Sequence, residues 1–179
     1  MRSFRIILII GSVISFSFLT ETWYLFESKK FGFTILFPKK PINLFPNVES
    51  ETGLQKFNVS VYEPAKGIMD ENYLYRVTCT EYPDSLFSKI DNSTLEIFFE
   101  GSKDAMISKT KGVFLSEKVI ELSGFPGREI KASLINGTAV IRVRTYLVKN
   151  KVYLVETITD IKKDHNKSID KFFNSFQLQ

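Results

Sequence analysis

The feature that most constrains the fold is a series of alternating segments in the second half of the chain, separated by tight-turn sequences. Apolar and polar residues alternate with a period of two, which is typical of half-buried strands. Asn136-Gly137 is the preferred sequence for a hairpin turn, because both residues tolerate a positive φ. The pattern predicts an antiparallel meander of four strands, placed at 113–122, 130–134, 139–147 and 152–158.

Three further strands are predicted in the first half of the chain. Phe31 to Phe37 alternates and ends at Pro38, and a second alternating run around Phe57 to Val61 ends before Pro64. Tyr73 to Tyr82 is the third. Residues 64–71 lie between the last two and are predicted to form a loop.

Two helices are predicted from spacings near 3.6 residues. Ser93 and Glu96 have the spacing of a capping box, followed by an apolar face at Leu95, Phe98, Phe99 and Met106. The second helix is predicted from about 162 to 176, with Asp160 as its cap. Its apolar stripe is Ile161, His165, Ile169, Phe172, Phe173 and Phe176. A mostly antiparallel sheet of about six to seven strands flanked by helices is an α+β fold, specifically an α/β/α sandwich.

The first 20 residues have the three parts of a signal peptide. Arg2 and Arg5 precede a short apolar run from Ile6 to Leu19, and Ser15 and Ser17 form a small-x-small cleavage site. Cleavage after Ser17 is expected, and an uncleaved N-terminal anchor is the alternative. The run is shorter than the roughly 20 residues that a spanning helix needs. We therefore expect residues 1–20 to direct export to the periplasm or the exterior, and 21–179 to form one domain.

Charge and cysteine content limit the possible functions. The net charge is +4 and falls to about +2 once the two N-terminal arginines are removed, which is too weak to indicate nucleic-acid binding. Cys79 is the single cysteine, so no disulfide can form within the chain. It shares a predicted strand face with Tyr73, Tyr75 and Val77, which favours a buried packing role.

Catalytic, metal and cofactor motifs are missing from the sequence. The only histidine, His165, lies on the apolar stripe of the last predicted helix, where a half-buried packing role is more common than a catalytic one. One histidine and one cysteine cannot make a zinc site. Neither a phosphate-binding loop nor a dinucleotide glycine pattern occurs. We expect no enzyme activity, no metal and no cofactor.

A possible contact surface is predicted in the meander. Arg142 and Arg144 share a strand face with Tyr146, and such a group can bind a carboxylate or a partner loop. The turn that contains Phe125 and Arg128 is the second part of this surface. Cross-strand charge pairs with Glu129 and Glu156 are the simpler explanation of the two arginines. The predicted partner-contact residues are Phe125, Arg128, Arg142, Arg144 and Tyr146.

Four short motifs in order along residues 30–178 resemble the PsbP-like α/β-sandwich family. They are Gly32-Phe-Thr-Ile-Leu-Phe-Pro38, Leu122-Ser-Gly-Phe-Pro-Gly-Arg-Glu129, Arg144-Thr-Tyr-Leu147 and Phe172-Phe-Asn-Ser-Phe-Gln-Leu178. The family joins a photosystem II accessory protein, a Ran-binding nuclear import factor and bacterial envelope proteins. The resemblance implies a central antiparallel sheet in a non-enzymatic binding or assembly protein. No residue indicates a photosystem partner, and the import factor is not exported.

Two functions are compatible with these observations. The first is an exported, non-enzymatic cell-envelope protein that acts through contacts with another envelope protein. The second is a carrier for a small apolar ligand, which an internal cavity lined by Phe98, Phe99 and Phe172 would favour. The membrane would be contacted only through an uncleaved N-terminal segment.

Overall fold

The computed structural model describes residues 22–50, 53–65, 70–87 and 90–179. The predicted export segment, residues 1–20, and part of the predicted 64–71 loop lie outside the described residues. No helix among the described residues is long and apolar enough to cross a membrane.

Eleven strands form two antiparallel sheets in the described part of the chain. The strands are β1 (Tyr24–Ser28), β2 (Phe33–Phe37), β3 (Ile42–Leu44), β4 (Asn47–Ser50), β5 (Gly53–Tyr62), β6 (Asn72–Glu81), β7 (Val113–Leu122), β8 (Phe125–Leu134), β9 (Ala139–Val148), β10 (Lys151–Asp160) and β11 (Gln177–Leu178). The main sheet has the spatial order β3-β5-β6-β10-β9-β8-β7, and β4 also pairs with β5. A smaller sheet has the order β1-β2-β11.

Three α-helices complete the fold, and they lie on both faces of the main sheet. They are α1 (Asp84–Phe87), α2 (Asn92–Thr110) and α3 (Lys167–Asn174). The helix α2 packs on β8, whereas α3 packs on β2, β6 and β10. The predicted α/β/α sandwich and the predicted four-strand meander are therefore confirmed.

The larger core lies between the main sheet and the layer made of α3 and the small sheet. Strand residues at every second position point into it, as Phe33, Ile35 and Phe37 do from β2. Burying each aromatic or aliphatic side chain of this size contributes about 1.5–3 kcal/mol. Tyr153 also donates a buried hydrogen bond of 2.6 Å from its hydroxyl to the carbonyl oxygen of Phe31, which ties the main sheet to the segment before β2.

The opposite face of the main sheet packs against α1 and α2. Alternate residues of β9, including Ile141, Val143 and Leu147, are buried on this side, as the alternating pattern predicted. Phe99 is the buried residue of α2. The helix lies across one part of this face, so a recess remains beside it.

The helix starts differ from those predicted. The cap of α2 is Asp91, which accepts a hydrogen bond of 2.8 Å from the backbone N–H of Thr94, so the predicted box of Ser93 and Glu96 is wrong. The cap of α3 is Asn166, which accepts from the N–H of Ile169. Asp160 instead caps a short 3-10 turn at Ile161–Lys163.

The last helix is consequently shorter than the predicted 162–176. It begins at Lys167, so His165 precedes it and its side chain is 87% exposed; the predicted half-buried position is wrong. The side chains of Asp160 and Asn166 form hydrogen bonds with the nearby backbone, which interrupts the helical pattern. Ile161 is also exposed.

Candidate functional site

The predicted contact face on β9 exists, but residues of α3 and of the segments around it already contact its arginines. Arg144 Nε donates to Glu129 Oε2 at 2.7 Å, and its guanidinium lies 4.7 Å from the centre of the Phe173 ring. Arg142 Nη2 donates to the carbonyl oxygen of Asp164 at 3.0 Å and forms an ion pair with its carboxylate. These two arginines bind the chain's own acids at the surface between sheet and helix.

The remaining predicted contact residues divide between the two faces of the sheet. Tyr146 is buried beside Arg144 and stacks on Phe176 with ring centres 5.9 Å apart. Arg128 lies on the α2 face, pairs with Glu96 and sits 4.8 Å from the Phe99 ring. Phe125 is half-buried against the larger core. The structure does not bring the five residues into one surface, and their role in partner contact stays a prediction.

The three phenylalanines proposed to line a cavity are also separated. Phe98 and Phe99 belong to the α2 side of the sheet, whereas Phe172 lies in the core on the α3 side. The prediction of a cavity lined by all three residues is therefore wrong. Phe98 alone lines the recess described below.

Neither His165 nor Cys79 is placed for nucleophilic catalysis. Cys79 is buried, and burial raises the pKa of its thiol to about 12, so the thiolate is absent near neutral pH. His165 lies 3.9 Å from Asp164, its nearest carboxylate partner. Among the described residues, no three His, Cys, Asp or Glu side chains are grouped so that they could hold a metal ion.

A pocket of about 270 Å³ lies between α2 and the main sheet. Its apolar walls come from strands and helix together, with Phe98 and Met106 on α2 and Val143 and Leu154 on the sheet. Thr80 and Thr145 are buried among these walls. A recess with mostly apolar walls and a few polar groups is the usual form of a small-molecule site.

An ion pair marks the polar side of this pocket. Arg76 and Glu156 lie directly opposite each other in the β6–β10 register, and two nitrogens of the guanidinium bind both carboxylate oxygens, the shortest contact being 2.5 Å. The Glu156 side chain is 6% exposed, whereas that of Arg76 is 38% exposed. The arginine can therefore meet a molecule at the pocket entrance while it neutralises the buried glutamate.

A second cation lies at the same pocket. Lys109 of α2 is exposed, lines the pocket and forms no ion pair within the described residues. The charged pocket residues are then Arg76, Lys109 and Glu156, which gives a net charge of about +1. A larger depression of about 580 Å³ near Lys56 and Asp84 has a more charged and exposed lining, so it has the character of open surface.

The strand β7 forms one end of the main sheet. It is ten residues long, and its only strand partner among the described residues is β8. A register shift at Leu115 interrupts the pairing near its start. Its exposed apolar side chains are Val113, Phe114, Leu115 and Val119. Val119 is 77% exposed, so this edge presents apolar side chains beside its unpaired backbone groups.

Sequence reasoning did not identify either of these features as a site. The pocket depends on which strand residues lie beneath α2, and that requires the sheet order. A signal for the edge was present, since Val113, Phe114 and Leu115 are three consecutive apolar residues that an alternating strand cannot bury together. The alternating apolar and polar residues around Arg76 and Glu156 predicted that both lie in strands. The pattern did not indicate that the two residues face each other.

Comparison with known proteins identifies the fold. No protein-family model matches the sequence, and no curated protein is similar to it in sequence. The solution structure of cyanobacterial PsbP from Synechocystis sp. PCC 6803 matches this structure with a TM-score of 0.50 and 14% sequence identity, over 95% of this chain and 99% of that chain. At this identity the likeness concerns the fold alone. The chain therefore has the PsbP-like fold that its sequence motifs resemble.

Proposed function

We propose that this chain is an exported, non-catalytic binding protein of the cell envelope that acts through contacts with another protein. The observation that carries this proposal is the β7 edge, which combines unpaired backbone groups with exposed apolar side chains. At the other end of the main sheet, β3 is only three residues long. A short edge is a common protection against pairing, and β7 lacks that protection.

The proposed mode of binding is strand addition. An extended segment of the partner aligns with β7, and its backbone N–H and C=O groups bond to those of the strand. The four residues from Val119 to Leu122 lie beyond the register shift at Leu115, in the part of β7 that pairs regularly with β8. Val119 would provide the apolar side-chain contact.

A non-catalytic role agrees with the chemistry of the described residues. The single histidine is exposed and outside the pocket, and the single cysteine is buried. The arginines that could polarise a substrate at the β9 face are held by Glu129 and Asp164. The PsbP-like fold supports the same reading, because this fold is known for binding roles in the family that the sequence resembles.

Native mass spectrometry of the protein isolated from its host tests the contact role. We expect a second protein at a fixed stoichiometry with the wild type and its loss with Val119→Lys, which puts a charge on the exposed edge. Ser108→Lys is the matched control, since Ser108 is exposed on α2 and is not part of β7. An unchanged complex with Val119→Lys would refute the β7 assignment, and a homodimer would refute a separate partner.

Export is tested separately by sequencing the N-terminus of the mature protein. Cleavage after Ser17 predicts a chain that begins at Phe18 in an exported fraction. An intact N-terminus in the membrane fraction would indicate the anchor alternative. An intact N-terminus in the cytosol would contradict export.

A second candidate function is the transport or sensing of a small ligand with an apolar body. The pocket of about 270 Å³ beneath α2 favours it, because its walls are mainly apolar and carry a few polar and charged groups. This function requires no contact at β7 and can coexist with the first.

A further inference from the structure

We propose that the pocket beneath α2 binds a small monocarboxylate with an apolar chain. This inference rests on the second candidate function and specifies its ligand class. The site is formed by Arg76 and Lys109 at the polar side and by the side chains of α2 and the sheet around Val143 and Leu154.

The size of the pocket sets the length of the ligand. A group the size of a water molecule occupies about 30 Å³ in a liquid. A pocket of about 270 Å³ therefore accommodates about nine non-hydrogen groups of that size. Octanoate is close to this size when its carboxylate lies at the entrance.

The charges of the pocket specify the headgroup. Glu156 is already bound by Arg76 through Nε and Nη2, so the buried acid is neutralised before any ligand arrives. Arg76 Nη1 makes no hydrogen bond to another described residue, and Lys109 has no ion-pair partner there. Both cations therefore keep donors for an anionic group in the pocket, and charge-assisted bonds of this kind are stronger than neutral ones.

The same arrangement disfavours other headgroups. An ammonium group would meet Arg76 and Lys109, and the only pocket carboxylate is already occupied. A neutral hydroxyl could accept a hydrogen bond but would leave the extra positive charge unpaired. The predicted order of affinity is therefore octanoate above 1-octanol, and 1-octanol above octylamine.

The test is an NMR titration of the mature protein with octanoate, 1-octanol and octylamine at neutral pH. We expect octanoate to bind with a Kd below about 1 mM and to shift the signals of Val143 and Leu154. Lys109→Gln, on the exposed side of α2, should weaken octanoate by roughly two- to fivefold and leave 1-octanol unchanged, as expected from the loss of an exposed ion pair. Thr145→Leu, which adds bulk inside the pocket, should remove binding of both.

The outcomes separate the ligand class from the carrier function itself. If 1-octanol or octylamine binds as tightly as octanoate, the carboxylate proposal fails and the carrier function survives. If none of the three probes shifts the pocket signals, both fail. Octanoate binding that Lys109→Gln does not weaken, or that Ser108→Gln weakens equally, would also overturn the assigned headgroup contact. None of these results concerns the β7 edge.

Discussion

Gly127 lies directly opposite Tyr146 in the β8–β9 register, and the tyrosine ring covers it. A Cβ atom at Gly127 would lie 2.6 Å from Cδ1 of Tyr146 and 2.7 Å from the carbonyl oxygen of Thr145. Only glycine allows this approach. The same ring also stacks on Phe176 within the larger core. Tyr146 therefore links β8 to the C-terminal segment.

Gly127→Ala should therefore destabilise the protein. The Tyr146 ring and the backbone at Thr145 must both shift to admit the new methyl group, and overpacking of this kind costs about 1–3 kcal/mol of the free energy of unfolding. Urea denaturation measures the loss. Gly101→Ala is the matched control, because no atom lies within 4 Å of a Cβ atom there and Gly101 is inside α2. That change should stabilise by up to about 1 kcal/mol; equal effects of both substitutions would show that the contact with Tyr146 is unimportant.

Tyr153→Phe should also lower the free energy of unfolding. The substitution removes the donor to the buried carbonyl oxygen of Phe31, and an unsatisfied buried acceptor costs about 1–3 kcal/mol. Tyr73→Phe serves as the control, since Tyr73 is exposed and its hydroxyl lies 3.4 Å from Asp160. The control should change stability by no more than about 0.5 kcal/mol. Similar losses in the two variants would argue against the buried bond as the cause.

Stability should fall at alkaline pH, in part because of Cys79. Burial raises the pKa of its thiol from 9.0 to about 12. Below about pH 9 the thiol is protonated in both the folded and the unfolded chain, so this contribution to stability is fully present. Between about pH 9 and 12 the unfolded chain releases the proton and the folded chain retains it, so stability is lost as pH rises.

The comparison of wild type with Cys79→Ala isolates this contribution. From pH 9 to 11, the free energy of unfolding should fall more steeply in the wild type, by up to about 1.4 kcal/mol per pH unit. Urea unfolding at each pH measures both slopes. Burial also raises the pKa of Tyr75 and Tyr153 in both proteins, and the neighbouring Cys79 raises that of Tyr153 further in the wild type. Identical slopes would show that the thiol titrates alike in the folded and unfolded states.

Much of the main sheet could be predicted from the sequence because its strands are long and regularly alternating. The meander from β7 to β10 and the strands β5 and β6 follow from period-two patterns alone. In the small sheet only β2 was predicted, because β1 follows directly on the predicted export segment and β11 has only two residues. Short strands take their conformation from their neighbours, and β11 is fixed by its pairing with β2.

The candidate sites were less accessible to sequence reasoning because they depend on tertiary pairing. The pattern placed Arg142 and Arg144 on one face correctly, but it did not indicate that Asp164 and Glu129 bind them. The start of α2 was ambiguous because neighbouring residues can all act as helix caps. Asp91, Ser93 and Asn92 are all acceptable caps, and the structure selects Asp91.

Site-specific photo-crosslinking in the host cell tests the central claim most directly. A photoreactive amino acid at Val119 lies on the exposed edge of β7, and the same residue at Ser108 on α2 is the control. The proposed strand addition predicts one dominant crosslinked protein at position 119 that is missing at 108. Equal labelling at the two positions, or no crosslinked protein at 119, would contradict the claim that this chain works through protein contact at the β7 edge.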